Sequence, residues 1–147
     1  MSYFKNSILP SSLAFVVLVS IAGCGNSDRQ KVIGTWALDV SDEAGEDLDD
    51  RVGGEEPGKM IVRFASDGSL ETRTDFGMAK GNHDGTWTLI STSDDKKEFR
   101  LSCKLKDYEC QTVVTFVDDQ TIRMIPPNMA GLEDQIDPMT FKKEESK

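Results

Sequence analysis

Cysteines are the first side chains in this sequence placed to do chemistry. Cys103 and Cys110 are separated by six residues. If Leu105 to Tyr108 make a four-residue turn between two strands, Cys103 falls opposite Cys110, Leu101 opposite Thr112 and Phe99 opposite Val114. That register gathers the apolar residues on one face, which is what the hydrophobic pattern selects. The spacing predicts a structural disulfide, worth roughly 2.5 kcal/mol by the loop-entropy estimate. A redox pair would instead be expected as Cys-x-x-Cys at a helix start. A metal site would need further ligands, and His83 is the only histidine. Within Lys80-Gly81-Asn82-His83-Asp84 that histidine reads as an exposed loop residue. No serine has a matched base, no glycine-rich phosphate loop opens a helix, and no carboxylate pair stands out among so many acids. The expectation is a protein that is not an enzyme, with no catalytic residue, no cofactor and no metal.

The third cysteine, Cys24, closes the stretch Ile21-Ala22-Gly23-Cys24. Upstream lie a polar start with Lys5, an apolar run from Leu13 to Ile21, and two small residues, the layout of a secretory signal. Ile8 to Gly23, interrupted by Pro10, is too short for a spanning helix, which needs about 20 apolar residues. A Cys directly after Ala-Gly resembles a bacterial lipoprotein processing site. The resemblance implies cleavage before Cys24, a diacylglyceryl group on its thiol and an acyl chain on the freed amine. Two or more chains hold a protein firmly to a membrane where one holds it marginally. Residues 1–23 are then the signal peptide, 24–31 the lipidated cysteine with a polar linker, 32–143 the folded domain and 144–147 a polar tail. The linker, Gly25 to Lys31, spans about 25 Å even when fully extended. By the same resemblance, an Asp after the cysteine would imply retention in the inner membrane, and Gly25 leaves the outer membrane as the default destination, with the domain on the non-cytoplasmic side. Export also makes the disulfide chemically permissible.

Losing Met1 to Gly23 removes one Lys and no acid, so the formal net charge of −9 becomes −10. So acidic a domain repels phosphate backbones, and nucleic acid is excluded as a partner. The 124 residues from Cys24 onward suffice for one domain with one core.

Past the linker, period-two alternation recurs in short runs separated by turn residues. Lys31 to Val40, Lys59 to Ala65, Leu70 to Phe76, Thr86 to Thr92, Glu98 to Leu105, Gln111 to Val117, Thr121 to Ile125 and Met139 to Lys143 read as strands. Asp67-Gly68 supplies the positive backbone angles of a tight hairpin, and Pro126-Pro127 ends the seventh run. Consecutive hairpins favour an all-β fold, an antiparallel up-and-down meander of about eight short strands curling into a barrel or half-barrel. Closure would remove the exposed edges. Ser41 to Gly58 sets Asp42, Glu43, Glu46, Asp47, Asp49, Asp50, Glu55 and Glu56 against Arg51 alone, which is a short acidic helix or a solvated loop. It lacks the spaced Asp-x-Asp-x-Asp-Gly of a calcium loop. Asn128 to Asp137 is a second loop with room for one helical turn.

Gly34-Thr35-Trp36-Ala37-Leu38, Phe64-Ala65-Ser66-Asp67-Gly68-Ser69-Leu70 and Gly85-Thr86-Trp87-Thr88-Leu89 resemble the lipocalin-like domains of small bacterial lipoproteins. So do Asp118-Asp119-Gln120-Thr121-Ile122 and Met139-Thr140-Phe141-Lys142. The resemblance runs from about Lys31 to Lys143. It implies that Trp36 lies across the closed end of the barrel, with Arg123 as its cationic cover. It also implies a small apolar ligand, for which Trp36, Trp87 and Phe64 are the candidate contacts. The residues themselves read first as core packing, because two indoles supply much of the buried area of a small core. Thr74-Asp75-Phe76 echoes a second lipocalin motif but comes too early in the chain to correspond to it. The function expected is a membrane-anchored, non-enzymatic envelope lipoprotein that binds a small apolar ligand or an envelope component. The alternative is a docking module with a side-chain-filled core and Asp42 to Glu56 as a charged face.

Overall fold

The computed structural model describes residues 24–41, 58–76 and 79–145. Residues 1–23, expected as a signal peptide, and 42–57, with the acidic stretch, lie outside them. Eight antiparallel strands follow one helix in a closed barrel, ordered as in the chain: β1 (Gly34–Leu38), β2 (Lys59–Phe64), β3 (Ser69–Phe76), β4 (Ala79–Thr92), β5 (Glu98–Leu105), β6 (Tyr108–Asp118), β7 (Thr121–Met124) and β8 (Met139–Lys143). The ladder closes where β1 meets β8, with Leu38 opposite Phe141. Of barrel and half-barrel, the closed barrel is the one formed.

Alternation decides which side chains enter the lumen. Along β5, Phe99, Leu101, Cys103 and Leu105 are buried while Glu98, Arg100 and Lys104 are exposed, as a strand with one solvated face requires. The same rule brings in Met60, Val62 and Phe64 from β2, Val114 from β6, and Ile122 and Met124 from β7, all at most 1% exposed. An eight-stranded barrel is just wide enough for such side chains to fill it. Edge-on aromatic contacts knit this core: Phe64 with Trp87 at 5.3 Å, Trp36 with Phe116 at 5.8 Å and Phe99 with Phe116 at 5.1 Å between ring centres.

Two glycines are fixed by geometry. Gly68 takes φ +88° in the β2–β3 turn, where Asp67 accepts hydrogen bonds from the Ser69 backbone and hydroxyl at 2.8 and 2.7 Å. A Cβ at Gly85 would stand 2.0 Å from the Lys104 carbonyl oxygen, so β4 and β5 approach where only glycine fits.

Two elements depart furthest from expectation. β4 begins at Ala79, seven residues ahead of the expected Thr86, because its first half pairs with β3 as far as Phe76 opposite Ala79. Glycine, Asn and Asp hide that half in the sequence. The expected linker is helical instead: α1 (Cys24–Val32) caps the end of the barrel where β1 starts. So short a helix is marginal alone and depends on tertiary contacts. Arg29 donates to the Ser66 carbonyl at 2.8 Å and lies 4.7 Å over the Trp87 ring, Lys96 pairs with Asp28 at 2.7 Å, and Val32 is fully buried. That hydrogen bond from Lys96 holds the Asp28 carboxyl below its ordinary range.

Candidate functional site

Strand polarity gives the barrel two unlike ends. α1 and the β2–β3, β4–β5 and β6–β7 turns share one end, the base. The β3–β4 and β5–β6 turns and the long β7–β8 connection share the other, the mouth. A strap, Ile125 to Pro138, runs over the mouth and contains a 3-10 turn at Pro127–Met129.

Period two on β6 builds the latch for this strap. Tyr108, Cys110 and Thr112 lie on one face of the strand. The Tyr108 hydroxyl donates to the Pro127 carbonyl at 2.9 Å, the Cys110 thiol to the same oxygen at 3.6 Å, and the Thr112 hydroxyl to the Ile125 carbonyl at 2.7 Å. From the strap, Asn128 reaches β3, its Nδ2 donating to Thr74 Oγ1 at 3.2 Å. Asn128 Oδ1 is shielded from solvent and has no hydrogen-bond partner among the described residues. Within the strap, Pro126 and Pro127 are buried. The sequence marked them only as a strand end, and nothing in it singled out Tyr108 or Asn128.

Cys103 and Cys110 stand opposite each other in the β5–β6 ladder, as do Leu101 and Thr112, and Phe99 and Val114, the register expected. Both are free thiols here, Cys103 buried and Cys110 half-buried. Burial pushes the Cys103 thiol up to about 12, and burial also raises Cys110 and Tyr108. Neither thiol is activated as a nucleophile, which requires a lowered value.

The three candidate ligand contacts are buried in the core, where Phe64 and Trp87 pack edge-on against each other. Trp36, Trp87 and Phe64 are at most 1% exposed. Trp36 donates its indole N–H to the Val32 carbonyl at 3.0 Å, and Trp87 donates to the Ala65 carbonyl at 3.1 Å. The cationic cover of Trp36 is Lys143, its Nζ 5.2 Å from the ring centre, not Arg123. The reason is parity: with Ile122 and Met124 inward on β7, Arg123 points out and donates to the Pro138 carbonyl at 3.1 Å.

No protein-family model, curated protein or solved structure matches this chain. The fold is consistent with the lipocalin-like barrel that the sequence resembles. His83 is exposed as expected, but on β4 opposite Thr72 rather than in a loop. No group of three or more His, Cys, Asp or Glu among the described residues could hold a metal. No helix there is long and apolar enough to cross a membrane. Ile90 on β4 and Val113 and Val117 on β6 are exposed at 48, 38 and 61% on the outer wall.

Proposed function

We propose that this protein is a lipid-anchored envelope lipoprotein without enzymatic activity, exported and held by acyl chains on Cys24, whose barrel engages an envelope component through its outer surface. The observation that carries the choice is the packed lumen. Five aromatic and several aliphatic side chains, each under 2% exposed, occupy the space in which a lipocalin would seat a ligand. What is left for recognition is the surface, including the apolar side chains of β4 and β6. The acidic docking stretch Asp42 to Glu56 belongs to this reading on its sequence alone, since it lies outside the described residues.

A second reading keeps a small ligand at the mouth, and Asn128 favours it. A buried acceptor without a donor has an energetic cost of about 1–3 kcal/mol, and a ligand hydroxyl or amine at the mouth would relieve it.

A native mass spectrum of the full protein, recovered from its host envelope in mild detergent, separates the two. The expected mass is the polypeptide from Cys24 plus its acyl groups. A reproducible additional mass that solvent extraction removes would overturn the filled-barrel reading in favour of the ligand. The anchor has its own test: Cys24→Ala should move the protein from the membrane to the soluble envelope fraction, and continued membrane retention would sink it.

A further inference from the structure

Because α1 begins at the residue that bears the acyl chains, the anchor joins the barrel through a helix docked on its base. We propose that the barrel stands on the membrane with this base against the lipid surface and with the strapped mouth turned away. This inference rests on the lipid-anchor reading and adds an orientation to it.

Helix geometry makes the connection short. Nine residues rise about 13 Å, so Cys24 lies within that distance of Val32, itself buried at the base. Docking makes the connection stiff. The Arg29 hydrogen bond to Ser66 fixes α1 to the β2–β3 turn, and the Asp28 ion pair with Lys96 fixes it to the β4–β5 turn. A free tether of glycine and serine would let the domain tumble, but a helix held at two turns transmits the direction of its anchor.

Charge does not separate the two ends: at the mouth Lys104 and Lys106 accompany Asp107, Glu109, Glu133, Asp134 and Asp137, and at the base Lys31, Lys96 and Lys97 accompany Asp28, Asp67, Asp94, Asp95 and Asp119. Strand rise and barrel tilt separate the two ends by about 20 Å, so only one can touch lipid.

The test uses the full acylated protein in vesicles of phosphatidylethanolamine and phosphatidylglycerol. A photoreactive benzophenone side chain is placed at Asp119 in the β6–β7 turn or at Asp134 in the strap. Cross-linking to lipid is expected severalfold more from the base position than from the strap position. A flexible Gly-Ser insertion after Asn26 should erase the difference. Equal or reversed yields from protein whose mass carries the acyl groups would overturn the orientation alone. A bias that survives the insertion would overturn the role given to α1. An intact mass without acyl groups would overturn the anchor itself, and the orientation with it.

Discussion

Gly85 shows how much a single missing methyl can decide. With the Lys104 carbonyl 2.0 Å from where a Cβ would be, Gly85→Ala must separate β4 from β5. The expected loss is about 1–3 kcal/mol, the usual scale of overpacking. Urea unfolding would measure it, and an unchanged midpoint would show that the strands part at no cost. The thiol pair has a pH signature. Cys103 titrates near its ordinary value of 9.0 when unfolded and at about 12 when folded, so the folded state holds its proton more tightly. Folding stability from this group is complete below about pH 9 and is lost as pH climbs towards the folded value. Reduced protein should therefore lose stability through that window. Protein oxidised to a Cys103–Cys110 disulfide has no such proton and should not show this loss. Parallel slopes for the two forms would mean that burial of the thiol has no energetic weight.

The strap is the element whose role was least legible in the sequence, although its place and length were plain. Pro126-Pro127 announced the end of a strand, yet what the strap rests on is set by three β6 side chains brought beneath it only when the barrel closes. Thr112→Val removes one of them at nearly constant volume and leaves the Ile125 carbonyl without its donor. The predicted result is a loss of about 1–2 kcal/mol with faster hydrogen exchange at Met129, Ala130 and Ile136, whose amides bond within the strap. Exchange that quickens over all strands alike would argue instead for a general weakening. The strands themselves were largely readable, because β5 and β8 alternate without interruption. The first half of β4 was not, since Lys80-Gly81-Asn82-His83-Asp84 has poor strand propensity and becomes a strand by pairing with β3. Helix α1 was invisible for a related reason: its residues favour a helix weakly, and its stability comes from Trp87, Ser66 and Lys96, distant in sequence.

At the scale of the molecule, period-two patterning was enough to foresee eight strands and the Cys103–Cys110 register, because each β-hairpin depends on residues close in sequence. The cation over Trp36 was misassigned for the opposite reason. Lys143 reaches that ring only because β8 returns beside β1, and no local pattern encodes a meeting so far along the chain.

That meeting also governs how the protein can fold. Seven of the eight ladders join strands adjacent in the chain, but β1 and β8 pair Leu38 with Phe141, with almost the whole domain between them. Bringing ends together across about one hundred residues rather than ten costs about 2 kcal/mol more in chain entropy. The last seam to form should therefore be this one, with β1 waiting half-paired until β8 arrives. Leu38→Ala and Phe141→Ala are then expected to speed unfolding while leaving the refolding rate almost unchanged. Refolding slowed in proportion to the lost stability would place the seam in the nucleus instead. For a chain made from its amino end, the late seam leaves β1 with one bare edge until the last strand has been made.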